Sequence, residues 1–315
     1  MRRKIPLIIL GGSDPHPTTL PPGSEGRHPL SGCKGVDIKL AGRCLIDVLI
    51  DRLEASGGFD PIWIAGPARV YEQAETSARV IDTNGGFGEN IQAALDVMVA
   101  EYSGQEVAIA TCDILPELDE LQDLLEDFWM CAPTDLWFPV IRADEKQDLG
   151  ASDWKPRYQL RPRTGADAIS ILPGHILIFD PRSLRLDFLY RLFDLAYSTR
   201  NRPLHYRRSF ILRRVLAGLL RQDFLHLLAF RLPTLTWDVA VHGVRAANRL
   251  RKGLATIEEM EDAVRHMFIT RKHRQAHPHR RVRIRITSSM SIARDIDTVE
   301  EAAAIGASFG GGVSA

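Results

Sequence analysis

Residues 5–12 read Ile-Pro-Leu-Ile-Ile-Leu-Gly-Gly. An uncharged apolar run that stops on a glycine pair fits a strand buried on both faces of a sheet. The basic residues before it, Arg2, Arg3 and Lys4, give the start the look of a signal peptide, but the apolar run is too short for one, so a first strand is expected. The same pattern continues outward. Residues 61–66 (Pro-Ile-Trp-Ile-Ala-Gly), 78–81, 106–111 and 135–141 read as further strands, and 45–53, 89–102 and 118–130 read as helices. Strands alternating with helices predict a three-layer α/β sandwich with a mainly parallel mixed sheet and right-handed crossovers. Ligands of such sheets sit at the carboxyl ends of the strands. Here those ends are Gly11-Gly12, Gly66, residues 82–88 and Cys112-Asp113.

Between these elements, residues 13–35 are rich in Pro, Gly, Ser and His and are expected to form one long loop. Residues 169–180 read as a strand pair bent at Pro173-Gly174. Residues 181–268 are expected to be mostly helical, broken near 201–203 and at Pro233. Thr256 with Glu259, and Thr298 with Glu301, make capping boxes that open two late helices, and 281–286 alternates basic and apolar residues like a half-exposed strand. The expected division is an α/β domain of residues 1–180 and 282–308 with a mostly helical insertion, 181–281.

Bulk composition excludes several classes. The chain of 315 residues has 40 Lys plus Arg against 40 Asp plus Glu, so charge gives no reason to expect nucleic acid or an anionic membrane as a partner. No stretch of about 18 apolar residues suggests a membrane span, and the cytoplasm is the expected location. Cys33, Cys44, Cys112 and Cys131 show no zinc-site spacing. The basic run 271–281 contains no interleaved aromatic residue, so a solvated loop is the expectation there, and the spacing of His273, His277 and His279 fits no common metal site. The helical stretch 208–230, with Leu212, Leu219, Leu220 and Leu225, offers a face for a homodimer; burial against the sheet would explain it equally.

Four features bear chemistry. Asp113 follows a buried strand directly, which places its carboxylate at the ligand end of the sheet, where Mg²⁺ takes oxygen ligands beside substrate phosphates. Asp295 and Asp297 precede a helix; capping alone explains either, unless the segment returns beside Asp113 to complete a carboxylate pair. Gly11 and Gly12 allow close approach of a phosphate, and Lys34 beyond the loop can neutralise charge on a transferred nucleotidyl group. Gly85, Gly86, Gly88 and Asn90 form a glycine-rich turn before a helix, suited to a base or ribose.

In order, these pieces resemble the MobA-like NTP transferases, nucleotidyltransferases with a glycosyltransferase-A-like sheet. The resemblance rests on Ile8-Ile-Leu-Gly-Gly12, on Lys34 followed by Gly42-Arg43-Cys-Leu-Ile46, on Asp113-Ile-Leu-Pro116 and on the closing Asp295-Ile-Asp-Thr-Val-Glu-Glu-Ala302, over residues 4–180 and 282–305. It implies a nucleotide-diphospho-sugar transferase-like fold and a Mg²⁺-dependent enzyme of the EC 2.7.7 type. Such an enzyme moves a nucleoside monophosphate from an NTP to a phosphorylated small-molecule acceptor and releases pyrophosphate. The implied catalytic residues are Lys34 and Asp113. The implied nucleotide-binding residues are Leu10, Gly11, Gly12, Lys34, Gly88, Asn90 and Asp113, the metal ligands Asp113 and Asp297, and the acceptor residues Gly174 and His175. The chain departs from the family pattern in its opening loop, which lacks an early arginine after the glycines, and in His175, which stands where the family has asparagine. Two alternatives stay open: a glycosyltransferase using a nucleotide-sugar donor, and a non-catalytic nucleotide-binding or regulatory protein on the same fold.

Overall fold

The computed structural model describes residues 3–13, 25–83, 87–143, 157–199, 202, 204–228, 230 and 235–310. Its strands are β1 (Ile5–Leu10), β2 (Lys39–Leu40), β3 (Arg43–Cys44), β4 (Phe59–Gly66), β5 (Arg79–Asp82), β6 (Val107–Thr111), β7 (Leu136–Arg142), β8 (Tyr158–Leu160), β9 (Ile169–Pro173), β10 (Ile176–Phe179) and β11 (Val282–Thr287). Its helices are α1 (Lys34–Asp37), α2 (Leu45–Ala55), α3 (Ala68–Tyr71), α4 (Phe87–Glu101), α5 (Leu118–Cys131), α6 (Leu186–Ser198), α7 (Leu204–Leu228), α8 (Leu235–Arg251), α9 (Ile257–Phe268), α10 (Arg271–Ala276) and α11 (Val299–Gly310).

Every residue of β1 is buried, and alternate residues go to opposite cores, as the period of two requires. Ile5, Leu7 and Ile9 join Ile46, Leu49, Leu53, Leu121, Leu124 and Phe128, which belong to α2 and α5. Ile8 and Leu10 join Ile91, Ala94, Leu95 and Met98 of α4. Two cores against one strand make three layers, and the continuous apolar run of the sequence is the consequence. Strands β5, β4, β1 and β6 lie side by side and run parallel. β10 then enters antiparallel between β6 and β7, and β11 pairs parallel with β7 along its length. The fold is therefore the mixed, mainly parallel α/β sandwich expected.

The bent pair at 169–180 resolves into two halves of one strand line. β9 faces β7 in the register Pro173↔Val140, whereas β10 faces it in the register Ile178↔Trp137. The offset between the two registers places extra residues at Gly174-His175, which bulge out of the ladder. A bulge bends a strand and re-aims its side chains, and here it carries the chain from β7 to the carboxyl end of β6.

Three local expectations need correction. Residues 34 and 35 are not the end of a loop but open the short helix α1, whose Val36 and Asp37 amides donate to the Cys33 carbonyl while the Asp37 carboxylate accepts from the Cys33 amide at 2.7 Å. Gly88 lies inside the first turn of α4 rather than in a turn before it; Gly85 and Gly86 fall outside the described residues. The basic run 271–281 is not a solvated loop. It contains α10, and Arg280 and His273 reach the fully buried Asp135, at 3.4 and 2.9 Å, together with Arg265 of α9 at 3.2 Å. Arg274 pairs with Asp238 at 3.0 Å.

The capping boxes at Thr256/Glu259 and Thr298/Glu301 both form. On α7, Leu219 is buried against Phe188 and Val239, but Leu212, Leu216, Leu220 and Phe224 stay 41–60% exposed, so burial against the sheet does not account for that stripe. Among the described residues no helix is long and apolar enough to cross a membrane.

Candidate active site

The carboxyl ends of β1, β4 and β6 open on one place. Three glycines, Gly11 after β1, Gly66 at the end of β4 and Gly35 in α1, converge on the ring of Tyr71. A Cβ on Gly11 or Gly66 would lie 2.6 Å from a Tyr71 ring-side atom, and one on Gly35 would lie 3.2 Å from its hydroxyl. Tyr71 is thus the post around which the glycine loop, the lysine helix and the end of β4 close. Nothing local in the sequence marks it, because its role depends on three glycines that are remote from one another. The Gly11 amide donates to the Ala65 carbonyl at 2.8 Å, so Gly11 supplies close approach and not an anion-binding amide. Gly12 lies under Asn90: a Cβ there would be 3.0 Å from Asn90 Nδ2. Asn90 is buried in the first turns of α4, and its Oδ1 has no protein partner, as is also true of Thr83 Oγ1 at the end of β5. Orphaned buried acceptors at a sheet's ligand end are what a polar ligand would satisfy. Gly88 does different work: a Cβ there would lie 3.2 Å from Asp194 Cβ, so its lack of a side chain lets α4 rest on α6.

Lys34 is the first residue of α1, and its Nζ sits between two carboxylates. It donates to Asp297 Oδ1 at 2.5 Å and to Asp113 Oδ2 at 3.1 Å. The closing segment does return beside Asp113. Ile296 N donates to the Asp113 carbonyl at 2.8 Å, and Ile114 and Asp295 form an antiparallel bridge. Leu30 N donates to the Asp297 carbonyl and Val299 N to the His28 carbonyl, so the far end of the opening loop is sewn to the same segment. The Glu301 carboxylate accepts from the Asp297 and Thr298 amides at 3.0 and 3.1 Å, which fixes the turn that aims Asp297 inward. Asp113, Asp295 and Asp297 offer oxygens within 4.8 Å of one another. Asp295 is buried and was not assigned a ligand role from sequence; its spacing of two from Asp297 was the available signal.

Electrostatics follow from this packing. Burial pushes Lys34 toward the neutral amine, but the charges of Asp113 and Asp297 outweigh it and hold the pKa above its usual value. Asp297 is pushed up to about 6 by burial and then by the Asp295 charge, against the pull of Lys34. Cys112, between Thr111 and Asp113, is pushed up to about 12 by burial, which leaves it an inert thiol.

The two expected acceptor residues lie in the bulge. The Gly174 amide donates to the Pro139 carbonyl and the His175 amide to the Ile292 carbonyl, both at 3.0 Å. The His175 ring lies 3.3 Å from Thr111 Oγ1, two residues before Asp113. The His175 side chain therefore sits beside the carboxyl end of β6, while the backbone of the Gly174-His175 step is already committed.

No protein-family model and no curated protein matches the sequence. Solved structures do. A hypothetical transferase from Thermus thermophilus is 20% identical, with a TM-score of 0.53 over 95% of this chain and 100% of that one. A 4-diphosphocytidyl-2C-methyl-D-erythritol synthase from Anaerococcus prevotii is 9% identical, with a TM-score of 0.44 over 98% and 99% of the two chains. A CMP:2-keto-3-deoxy-manno-octonic acid synthetase, solved with CTP, is 13% identical, with a TM-score of 0.41 over 69% and 86%. The first likeness establishes a shared mixed, mainly parallel α/β fold; the other two, at their lower scores, add nothing to it.

Proposed function

We propose that this chain is a nucleotidyltransferase of the MobA-like type that joins the nucleoside monophosphate of an NTP to a phosphorylated small-molecule acceptor and releases pyrophosphate. The observation that carries the reading is the Lys34 ammonium held between Asp113 and Asp297, inside a group of three carboxylates at the ligand ends of β1 and β6. A lysine and a carboxylate cluster at the mouth of a glycine loop supply both signs of charge that a triphosphate and its counter-ion require.

The donor set fits Mg²⁺: three hard oxygen groups gathered within reach of one ion, with none of the soft ligands that would select another metal. Asp113 and Asp297 would hold it, and when bound it supplies positive charge to the phosphate under attack. The Lys34 ammonium satisfies both carboxylates. Its four-carbon stem lets it turn from them toward a triphosphate lying on Gly12, where it neutralises charge as the leaving pyrophosphate develops. Gly11 and Gly66, both pressed on Tyr71, keep the floor of the loop thin enough for that approach. Asn90 and Thr83, with unsatisfied buried oxygens beside the loop, face the nucleoside end. His175, 3.3 Å from Thr111, flanks the acceptor side. Transfer of this kind rests on positioning and charge neutralisation, so no protein nucleophile is required.

The test is pyrophosphate release from ATP, CTP, GTP and UTP with a panel of sugar phosphates, by wild type and Asp113→Ala. Release with one NTP and one acceptor, abolished in the variant, supports the reading. Equal release by the variant removes Asp113 from the chemistry, and binding of nucleotide-sugars without release from any NTP moves the assignment to glycosyl transfer.

A further inference from the structure

A second group of metal-ligating side chains lies away from the aspartates, where α8 packs on α9. His242 of α8 and Asp262 and His266 of α9 offer ligand atoms all within 4.8 Å of one another. Asp262 and His266 stand four residues apart and so share one face of their helix. The Asp262 carboxylate lies 3.2 Å from His266 Nδ1 and 3.7 Å from His242 Nδ1. The two imidazoles are parallel within 2°, with centroids 3.9 Å apart.

The surroundings hold this arrangement in place. Gly243, beside His242, brings the helices together: a Cβ there would meet Met267 Sδ at 3.2 Å. Glycine inside a helix is unfavourable relative to alanine, so close packing is its use here. Arg274 then ties the two helices together. Its Nη1 donates to the His266 carbonyl at 2.9 Å, and its Nη2 pairs with Asp238, one turn before His242, at 3.0 Å. One buried guanidinium thus fixes the relative position of the two ligand-bearing turns. Two stacked imidazolium ions would repel, so this parallel arrangement suits rings that are not both protonated.

We propose that His242, Asp262 and His266 form a site for a zinc-class divalent transition metal that cross-links α8 and α9. Two imidazoles and a carboxylate, with a fourth position left for water, are a donor set that Zn²⁺ accepts and Mg²⁺ does not favour. The rings are now face to face, so one imidazole turns about its soft terminal torsion to aim a nitrogen at the shared ion. All three side chains are partly exposed, which gives the ion a path in.

The test uses the full chain stripped of metal with chelator, then titrated with Zn²⁺ by calorimetry. Wild type is expected to bind a stoichiometric ion at this site and to melt at a higher temperature with Zn²⁺ than without. His242→Ala and His266→Ala should each weaken that binding by more than about tenfold, while their metal-free circular dichroism matches wild type. Asp262→Asn, which preserves helix and shape, should weaken it as well and serves if a histidine variant folds poorly. Absence of stoichiometric binding, or binding that survives in all three variants, overturns the proposal; survival places the ion elsewhere, for example on the aspartates.

Discussion

Replacing Lys34 with methionine removes one ammonium and leaves its carboxylates in place. The Lys34 side chain is 10% exposed, that of Asp297 6% and that of Asp113 20%, so water can compensate little. Breaking a buried pair from one side costs about 3–5 kcal/mol. At about 2 °C per kcal/mol for a chain of this size, Lys34→Met is expected to lower the melting temperature by roughly 6–10 °C at pH 8. The loss should depend on pH in a defined direction. Asp297 already stands raised, at about 6, with Lys34 present; without the ammonium it rises further above its unfolded value. A carboxylate with a raised folded pKa binds its proton more tightly in the native state, so stability falls as pH rises through that window and recovers as pH drops toward 5. Mg²⁺ without nucleotide should then stabilise the variant more than the wild type, because the ion no longer competes with a resident ammonium. At a hundredfold excess over its dissociation constant that gain is about 2.7 kcal/mol. Scanning calorimetry at pH 5 and pH 8, with and without Mg²⁺, reads all three effects. A variant as stable as wild type at pH 8, or one that gains no more from Mg²⁺ than wild type, would refute the account of Lys34 as the resident counter-ion.

Three further outcomes test the frame around the site. Gly66→Ala puts a Cβ 2.5 Å from the Gly11 carbonyl and 2.6 Å from the Tyr71 ring; thermal melts should show a loss of about 1–3 kcal/mol, and an unchanged melt would mean that the glycines are not packed around Tyr71. Asp135→Asn removes the charge that Arg265, His273 and Arg280 share; urea unfolding is expected to show a loss of about 3–5 kcal/mol that changes little with salt, because the pair is buried. Glu300 is held down at about 2 by hydrogen bonds from the His28 amide and ring, so its stabilising effect is present above its unfolded value and lost as pH falls through about 2. In His28→Ala the ring bond goes while the amide stays, and NMR titration should find the Glu300 pKa higher, though still below an ordinary glutamate; no movement would show that the ring bond does not form.

Much of the α/β frame was legible because its signals are local or compositional. β1 reads as buried on both faces since all its residues are apolar, and both capping boxes follow from residues three apart. The site was legible in pieces. Asp113 sits at a strand end by simple order along the chain, but its meeting with Asp297 spans most of the sequence and depends on the bridge between Ile114 and Asp295. The basic run misled for the same reason: its anionic partners Glu106, Asp135 and Asp238 lie on other elements, so a window of residues 271–281 shows only positive charge. The convergence of Gly11, Gly35 and Gly66 on Tyr71 had no sequence signal, since each glycine alone reads as an ordinary turn. The bulge at Gly174-His175 was readable as a bend, but its role in carrying one strand line from β7 to β6 needed the register.

The most direct test of the central claim is a thermal-shift matrix of each NTP, Mg²⁺ alone and the two together, on wild type and Asp113→Ala. The account predicts that one NTP with Mg²⁺ raises the melting temperature of the wild type well beyond either component alone, because triphosphate must draw Lys34 off the carboxylates before the ion can take its place, and that Asp113→Ala abolishes this synergy. A wild-type shift with Mg²⁺ alone as large as the joint shift, or an undiminished joint shift in Asp113→Ala, would contradict it.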